Sequence, residues 1–180
     1  IVTPDDMYPL AAADAAKIKA DELGLEVLSF IKYPKDATDL STVVSQIRAL
    51  HPDAVIATPQ LESAMNLTKN MYEQQLEAKM IAIPDVVAMP LYVSNMGKAA
   101  EQIFSSTWWV KEIGYKDKLF GDTIQFAKMW EDKYGVEPAS FYPAAAVAGA
   151  EVLQLAIEKA GTLDTEKVRE ALLEIEVETV

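Results

Sequence analysis

Two adjacent carboxylates, a tyrosine and a proline stand at the head of the chain, in "IVTPDDMYPLAAADAAK", residues 1–17. Acids at a turn from strand to helix can ligate a metal, accept a phosphoryl group or line a pocket, and each chemistry makes a further demand. A phosphate cradle needs a glycine-rich turn whose amides approach the anion, whereas this turn carries Pro4 and Pro9. Asp5, Asp6 and Glu62 would offer oxygens to a cation, but the ordered ligand series of a calcium or magnesium loop is absent, and no metal is expected. A phosphate-accepting receiver would end its third strand in aspartate. Here that strand reads "PDAVIATPQL", with Thr58 in the acceptor's place.

Hydrolytic chemistry fares no better. The single histidine, His51 in "ALHPD", falls at the far end of that strand and reads as a solvated loop residue, and no GxSxG elbow occurs. Asp5 and Asp6 are neighbours in the chain and diverge, so they do not make an acid–base pair. Neither a catalytic set nor a cofactor site emerges, and the expectation is a protein that binds without catalysing. What remains is a set of pocket-lining types: Tyr8, the turn containing Thr58, Gln60 and Leu61, the acid Asp85, and Trp108 beside Trp109. A phenol offers a donor and an acceptor on a flat apolar body, a carboxylate pairs with an ammonium group, and indole rings exclude water. Together they suit a small zwitterion. Each also has a plain structural reading: Tyr8 as a turn residue, Asp85 as a solvated cap, the tryptophans as core. Asn66 in "NLT" fits a glycosylation sequon but falls inside an expected helix.

These residues need a scaffold that brings turns together, and the pattern supplies one. Ile1–Thr3 reads as the tail of a strand and residues 10–23 as a helix with Leu10, Ala11, Ala15 and Ile18 inward. "EVLSFIKYP" is β-rich and too continuously apolar for a half-exposed strand, as in a parallel sheet covered on both faces. Leu40, Val43, Val44, Ile47 and Leu50 recur at helical spacing behind caps at Asp39 or Ser41. "DAVIATP", then a helix with Leu61, Ala64, Met65, Thr68, Tyr72 and Leu76 inward, then "KMIAIP", a short helix near 94–101 and "IFSSTWW" complete a βαβαβαβαβ run. The expectation is an α/β fold with a three-layer parallel sheet in flavodoxin-like strand order, its ligand site beyond the carboxyl ends of the strands. From about Val110 the rhythm turns helical. Ile124, Ala127, Trp130 and Tyr134 stripe one helix, "YPAAAVAGAEVLQLAIEKAG" makes a second that is apolar nearly all round, and Asp164 caps a last one.

Composition bounds the partners. At 180 residues, 51% hydrophobic and 24% charged, the chain is globular, with one main domain expected. A net charge of −12 repels phosphate backbones and anionic lipid, so no nucleic-acid partner is expected. Without cysteine there is no disulfide, thiolate metal site or thiol catalysis. No apolar run is long enough to span a membrane, and no basic start followed by an apolar run reads as a signal peptide. The absent initiator methionine, the start on a strand end and the stop at "EVETV" suggest a fragment.

The order of the pieces resembles the type 1 periplasmic solute-binding proteins of branched-chain amino acid ABC importers. The similar segments are "DDMYPLAAADAAK", "YPKDATDLSTVVSQIRALHPDAVIATP", "GKAAEQIFSSTWW", "YGVEPASFYPAAAVAGAEVLQLAIEKAG" and "LDTEKVREAL". The resemblance implies two α/β lobes that close on a ligand, with residues 1–108 as the second lobe and 109–180 as helices returning to the first. It implies that Tyr8 contacts the ligand, that Asp85 pairs with its amino group and that Thr58–Leu61 line the pocket. An amino-acid-like solute, a membrane permease as partner and a periplasmic or extracellular place follow, lipid-anchored in a Gram-positive cell. A second copy of the chain is a candidate to cover the apolar helix. The alternative on the same fold is a ligand-sensing regulatory or receptor domain. One departure stands out: the family tyrosine is usually followed by glycine, and here Pro9 follows Tyr8.

Overall fold

Asp6 opens the first helix. Its backbone is extended and its carboxylate accepts the Met7 N–H at 2.9 Å, satisfying one of the amides left unpaired at a helix start. The helix, α1 (Met7–Glu22), follows β1 (Val2–Pro4) and so begins three residues before the expected start. Pro9 sits in its first turn, where the missing N–H costs nothing. The computed structural model describes residues 1–180 and divides into two units, Ile1–Thr107 and Trp108–Val180, each with its own core.

In the first unit β2 (Ile31–Tyr33), α2 (Ser41–Ala49), β3 (Ala54–Ile56), α3 (Leu61–Glu73), β4 (Met80–Ala82), α4 (Pro90–Met96) and β5 (Ile103–Phe104) follow in turn. All strand pairs are parallel: Val2 lies opposite Ile31, Ala54 opposite Met80 and Ile81 opposite Ile103. A single bridge between Val2 and Ala57, with the Thr58 N–H donating to the Val2 carbonyl at 3.0 Å, joins the two sets. The order is therefore β2-β1-β3-β4-β5, the flavodoxin-like order expected. Val2, Leu40, Val44, Val55, Leu67 and Ile83 form the centre of the core. Two buried tyrosines pin helices to it: the Tyr33 hydroxyl is 2.8 Å from Ser63 Oγ and the Tyr92 hydroxyl 2.6 Å from Thr68 Oγ1. Burial pushes both phenols above their ordinary pKa.

Several expectations about faces and lengths are corrected. The inward face of α1 is Pro9, Ala13 and Ala20, and Ile18 is 60% exposed, because only the smallest side chains let the helix lie close to the sheet. On α3 the buried set is Ser63, Ala64, Leu67, Thr68 and Met71, and Tyr72 points outward. "EVLSFIKYP" supplies only three strand residues, since β1 offers only three to pair with, and Leu25 and Leu28 remain exposed. "IFSSTWW" likewise yields only Ile103–Phe104. The N-cap of α2 is Leu40 rather than Asp39 or Ser41, and Asp39 acts one residue earlier, its carboxylate accepting the Ser41 N–H at 2.8 Å and held below its ordinary pKa by that bond.

The second unit begins with an antiparallel hairpin that the sequence pattern did not announce, β6 (Lys116–Asp117) and β7 (Gly121–Asp122), followed by α5 (Thr123–Tyr134), α6 (Tyr142–Ala160) and α7 (Thr165–Leu172). Asp122 and Gln125 form a reciprocal capping box at the start of α5. Asp164 caps α7 through the Lys167 N–H at 3.1 Å, as expected. Phe126 and Ala127 face the core of α5, with Trp109 and Phe120 edge-on to Phe126, whereas Ile124 and Tyr134 are exposed. The long helix α6 is not buried all round: only Ala144, Glu151 and Ala156 are buried, because within this unit it meets neighbours along one side.

Candidate functional site

Parallel strands put every strand-to-helix turn of the first unit at the same edge of the sheet. Tyr8 stands there in the first turn of α1, 62% exposed. Its backbone is tied down on both sides. The Asp5 N–H donates to the Tyr33 carbonyl at 2.7 Å, and the Leu10 N–H donates to the Asp6 carbonyl at 2.9 Å. Thr58, at the end of β3, is buried, and its hydroxyl lies 2.9 Å from the Pro9 carbonyl, to which it donates, and 3.0 Å from the fully buried Thr3 hydroxyl. Thr58 therefore meets the tyrosine turn from below rather than facing solvent. Gln60 is exposed and Leu61 half-buried where α3 begins.

Asp85 follows β4 in an unusual conformation, φ +62° and ψ −71°. The Val86 N–H donates to the Pro84 carbonyl at 2.8 Å, closing a three-residue γ-turn of the strained, positive-φ hand. The Asp85 N–H is held by the Ser106 carbonyl, just beyond β5, at 2.7 Å, so the neighbouring strand fixes the turn. Strain of this kind persists only where surrounding structure enforces it, and it concentrates at ligand sites. A half-buried acid in an enforced turn, with an exposed phenol at the same sheet edge, gives an anionic and a hydrogen-bonding group on a fixed frame. Asp5 is an exposed turn residue and Asp6 is the helix cap, so neither converges on a common centre. No group of three or more acidic, histidine or cysteine side chains is arranged to hold a metal ion.

Trp108 belongs to the second unit. It is 65% exposed and stacks on Phe141, with ring centres 5.8 Å apart and planes at 19°. With Tyr115 and Ala144 these rings line a cavity of about 590 Å³. Trp109, its neighbour, is core. Sequence reasoning gave no sign of the Thr3 hydroxyl beneath Thr58, nor of the pair Asp117 and Glu151, both buried in the second unit. The only available signal for that pair was a glutamate inside the otherwise apolar run "AAAVAGAEVLQLAI".

Known structures share this fold. The leucine-, isoleucine-, valine-, threonine- and alanine-binding protein of Brucella ovis superposes with a TM-score of 0.80 at 22% identity, covering 94% of this chain and 43% of that one. A leucine-binding protein of Thermotoga maritima gives 0.81 at 23% identity, covering 95% and 48%. The periplasmic ligand-binding protein of a branched-chain amino acid ABC transporter from Burkholderia xenovorans gives 0.74 at 21% identity, covering 97% and 45%. The chain thus spans less than half the length of each of these three structures. The family model described as periplasmic binding protein matches residues 1–180. The chain belongs to the periplasmic binding protein family.

Proposed function

We propose that this chain forms the ligand-holding lobe of an extracytoplasmic solute-binding protein, one that captures an amino acid or similar small zwitterion and presents it to the permease of an ABC importer. The observation that carries the reading is Asp85: an acid placed by a strained turn at the carboxyl edge of a parallel sheet, the edge where Tyr8 also stands. Asp85 meets the ligand's ammonium group and Tyr8 offers it a hydrogen bond. Gln60 and Leu61 line the turn beside them, and Thr58 holds the tyrosine turn in place. On this reading residues 1–108 are the second, ligand-binding lobe and residues 109–180 the helical part that returns to the first lobe, which completes the pocket. The mechanism on this reading is capture of the ligand and closure of the two lobes on it. Support for an amino-acid ligand comes from the names of the related structures, several of which bind leucine or other branched-chain amino acids.

Titration calorimetry tests the reading with leucine, valine, alanine, glutamine and phenylalanine, each with its decarboxylated amine as a control. It is run on this chain and on any longer polypeptide containing it. Heat from at least one amino acid, abolished by Asp85→Asn, is expected. No heat from any of them on the longer polypeptide would overturn it.

A further inference from the structure

We infer that Asp117 and Glu151 hold one proton between them, and that this proton fastens the β6–β7 hairpin and the chain segment ending at Val180 to α6, so that the attachment loosens as the medium passes from mildly acidic to alkaline. The two side chains come from different elements, Asp117 from β6 and Glu151 from the middle of α6, and are only 8% and 7% exposed. Asp117 is an acceptor several times over. Its Oδ1 takes the Leu119 N–H at 2.5 Å and the Phe120 N–H at 3.0 Å, and the Val180 N–H also donates to its carboxylate. A carboxylate so supplied with donors stays ionised. Asp117 Oδ2 and Glu151 Oε2 have almost no exposed surface and meet no donor from the rest of the chain, while the two carboxyl groups lie within hydrogen-bonding reach of each other. Two acceptors can bond only if one carries hydrogen, so Glu151 is the protonated member and donates to Asp117.

The surrounding charges do not replace that proton. The hairpin contributes Lys116 and Lys118, α6 contributes Glu158 and Lys159, and the terminal segment contributes Glu174, Glu176 and Glu178. Lys159 is committed to Glu174 at 3.1 Å, which leaves two lysines facing three carboxylates. Consistent with this, the hydrogen bond to Asp117, then burial, then the Asp117 charge raise the Glu151 carboxyl from its ordinary 4.5 to about 7, with Lys118 opposing. Burial pushes Asp117 upward, but the bonds from Glu151 and the three backbone N–H groups outweigh it and hold Asp117 below its ordinary value. The folded chain binds the Glu151 proton more tightly than the unfolded chain does. Its contribution is therefore complete below about pH 4.5 and is lost as pH rises through about 7. Asp117 acts in the opposite sense and only in stronger acid, below its ordinary 3.8.

Hydrogen exchange at the Leu119, Phe120 and Val180 amides of the whole chain, corrected for intrinsic exchange, reads the attachment directly. Between pH 5 and 8 the opening constant is expected to rise by roughly tenfold to a hundredfold, given a proton affinity shifted by a few pH units and softened by nearby water. In Glu151→Gln the side-chain amide donates to Asp117 at every pH, so the opening constant should stay flat. Should that variant fold poorly, the carbon-13 resonance of the Glu151 carboxyl in the unaltered chain gives the same answer, with a midpoint near 7 expected. Flat protection in the unaltered chain, an unchanged pH profile in Glu151→Gln, or a carboxyl midpoint near 4.5 would overturn the inference. So would protection restored at pH 8 by millimolar calcium, which would make the pair a cation site instead.

Discussion

Replacing Asp85 by glycine and, separately, by alanine isolates the strain in the γ-turn from the chemistry of the carboxylate. Both variants lose the carboxylate and every contact it makes, so those losses cancel when the two are compared. Alanine keeps a Cβ at φ +62° and ψ −71° and therefore keeps the strain, of about 1–3 kcal/mol for such a backbone. Glycine adopts the conformation freely but widens the unfolded ensemble, at a cost of roughly 0.5–1 kcal/mol relative to alanine. The glycine variant should therefore be the more stable of the two by about 0.5–2 kcal/mol. For a unit of this size that is on the order of 3–10 °C in Tm. Thermal and urea melts of the two variants, followed by far-ultraviolet circular dichroism, measure the difference, and both variants should have lost ligand. If the glycine variant melts at or below the alanine variant, the turn is not strained and its placement of the acid needs another explanation.

Thr58→Val removes the hydroxyl that meets the Pro9 carbonyl and Thr3, and urea unfolding should show a loss of about 1–2 kcal/mol. Tyr8→Phe removes the phenol's hydrogen-bonding group and should weaken ligand binding up to about tenfold by calorimetry. Gly121→Ala sets a Cβ against Gln125 Oε1 at φ +79°, so the Gln125 side chain must swing away and its bond from the Asp122 N–H is lost. All three tryptophans lie in the second unit, so their fluorescence follows its unfolding, which should become easier by about 1–3 kcal/mol.

The strand order was readable because each strand is a short apolar run bounded by turn residues and followed by a helical period. Strand length was not. In "EVLSFIKYP" composition alone carries the β signal, but three-residue β1 sets how much of it finds a partner. Helix faces were misread where hydrophobicity and size pull apart: Ile18 outranks Ala13 in hydrophobicity, yet close packing on a sheet selects the smaller residue. In α6 the apolar composition concealed that its one buried charged residue, Glu151, sits among the few positions facing inward. The candidate residues were readable as positions, because turns after parallel strands share an edge. Their states were not. Nothing in "IPDVV" announces a positive φ at Asp85, since no glycine or asparagine marks the turn, and nothing in "ATPQL" says that the Thr58 hydroxyl is already taken up by Pro9 and Thr3.

The small-residue face of α1 bears on how such a site can change. Ala13 is fully buried and Ala20 nearly so, and they set how far the helix axis stands from the sheet, and with it the height of Tyr8. Any larger side chain at either position would lift the whole helix and move the phenol with it. Met7, by contrast, is 86% exposed beside Tyr8 and can vary without disturbing the mount. A library aimed at a new ligand should therefore diversify Met7, Gln60 and the loop after Asp85 while holding Ala13 and Ala20 fixed.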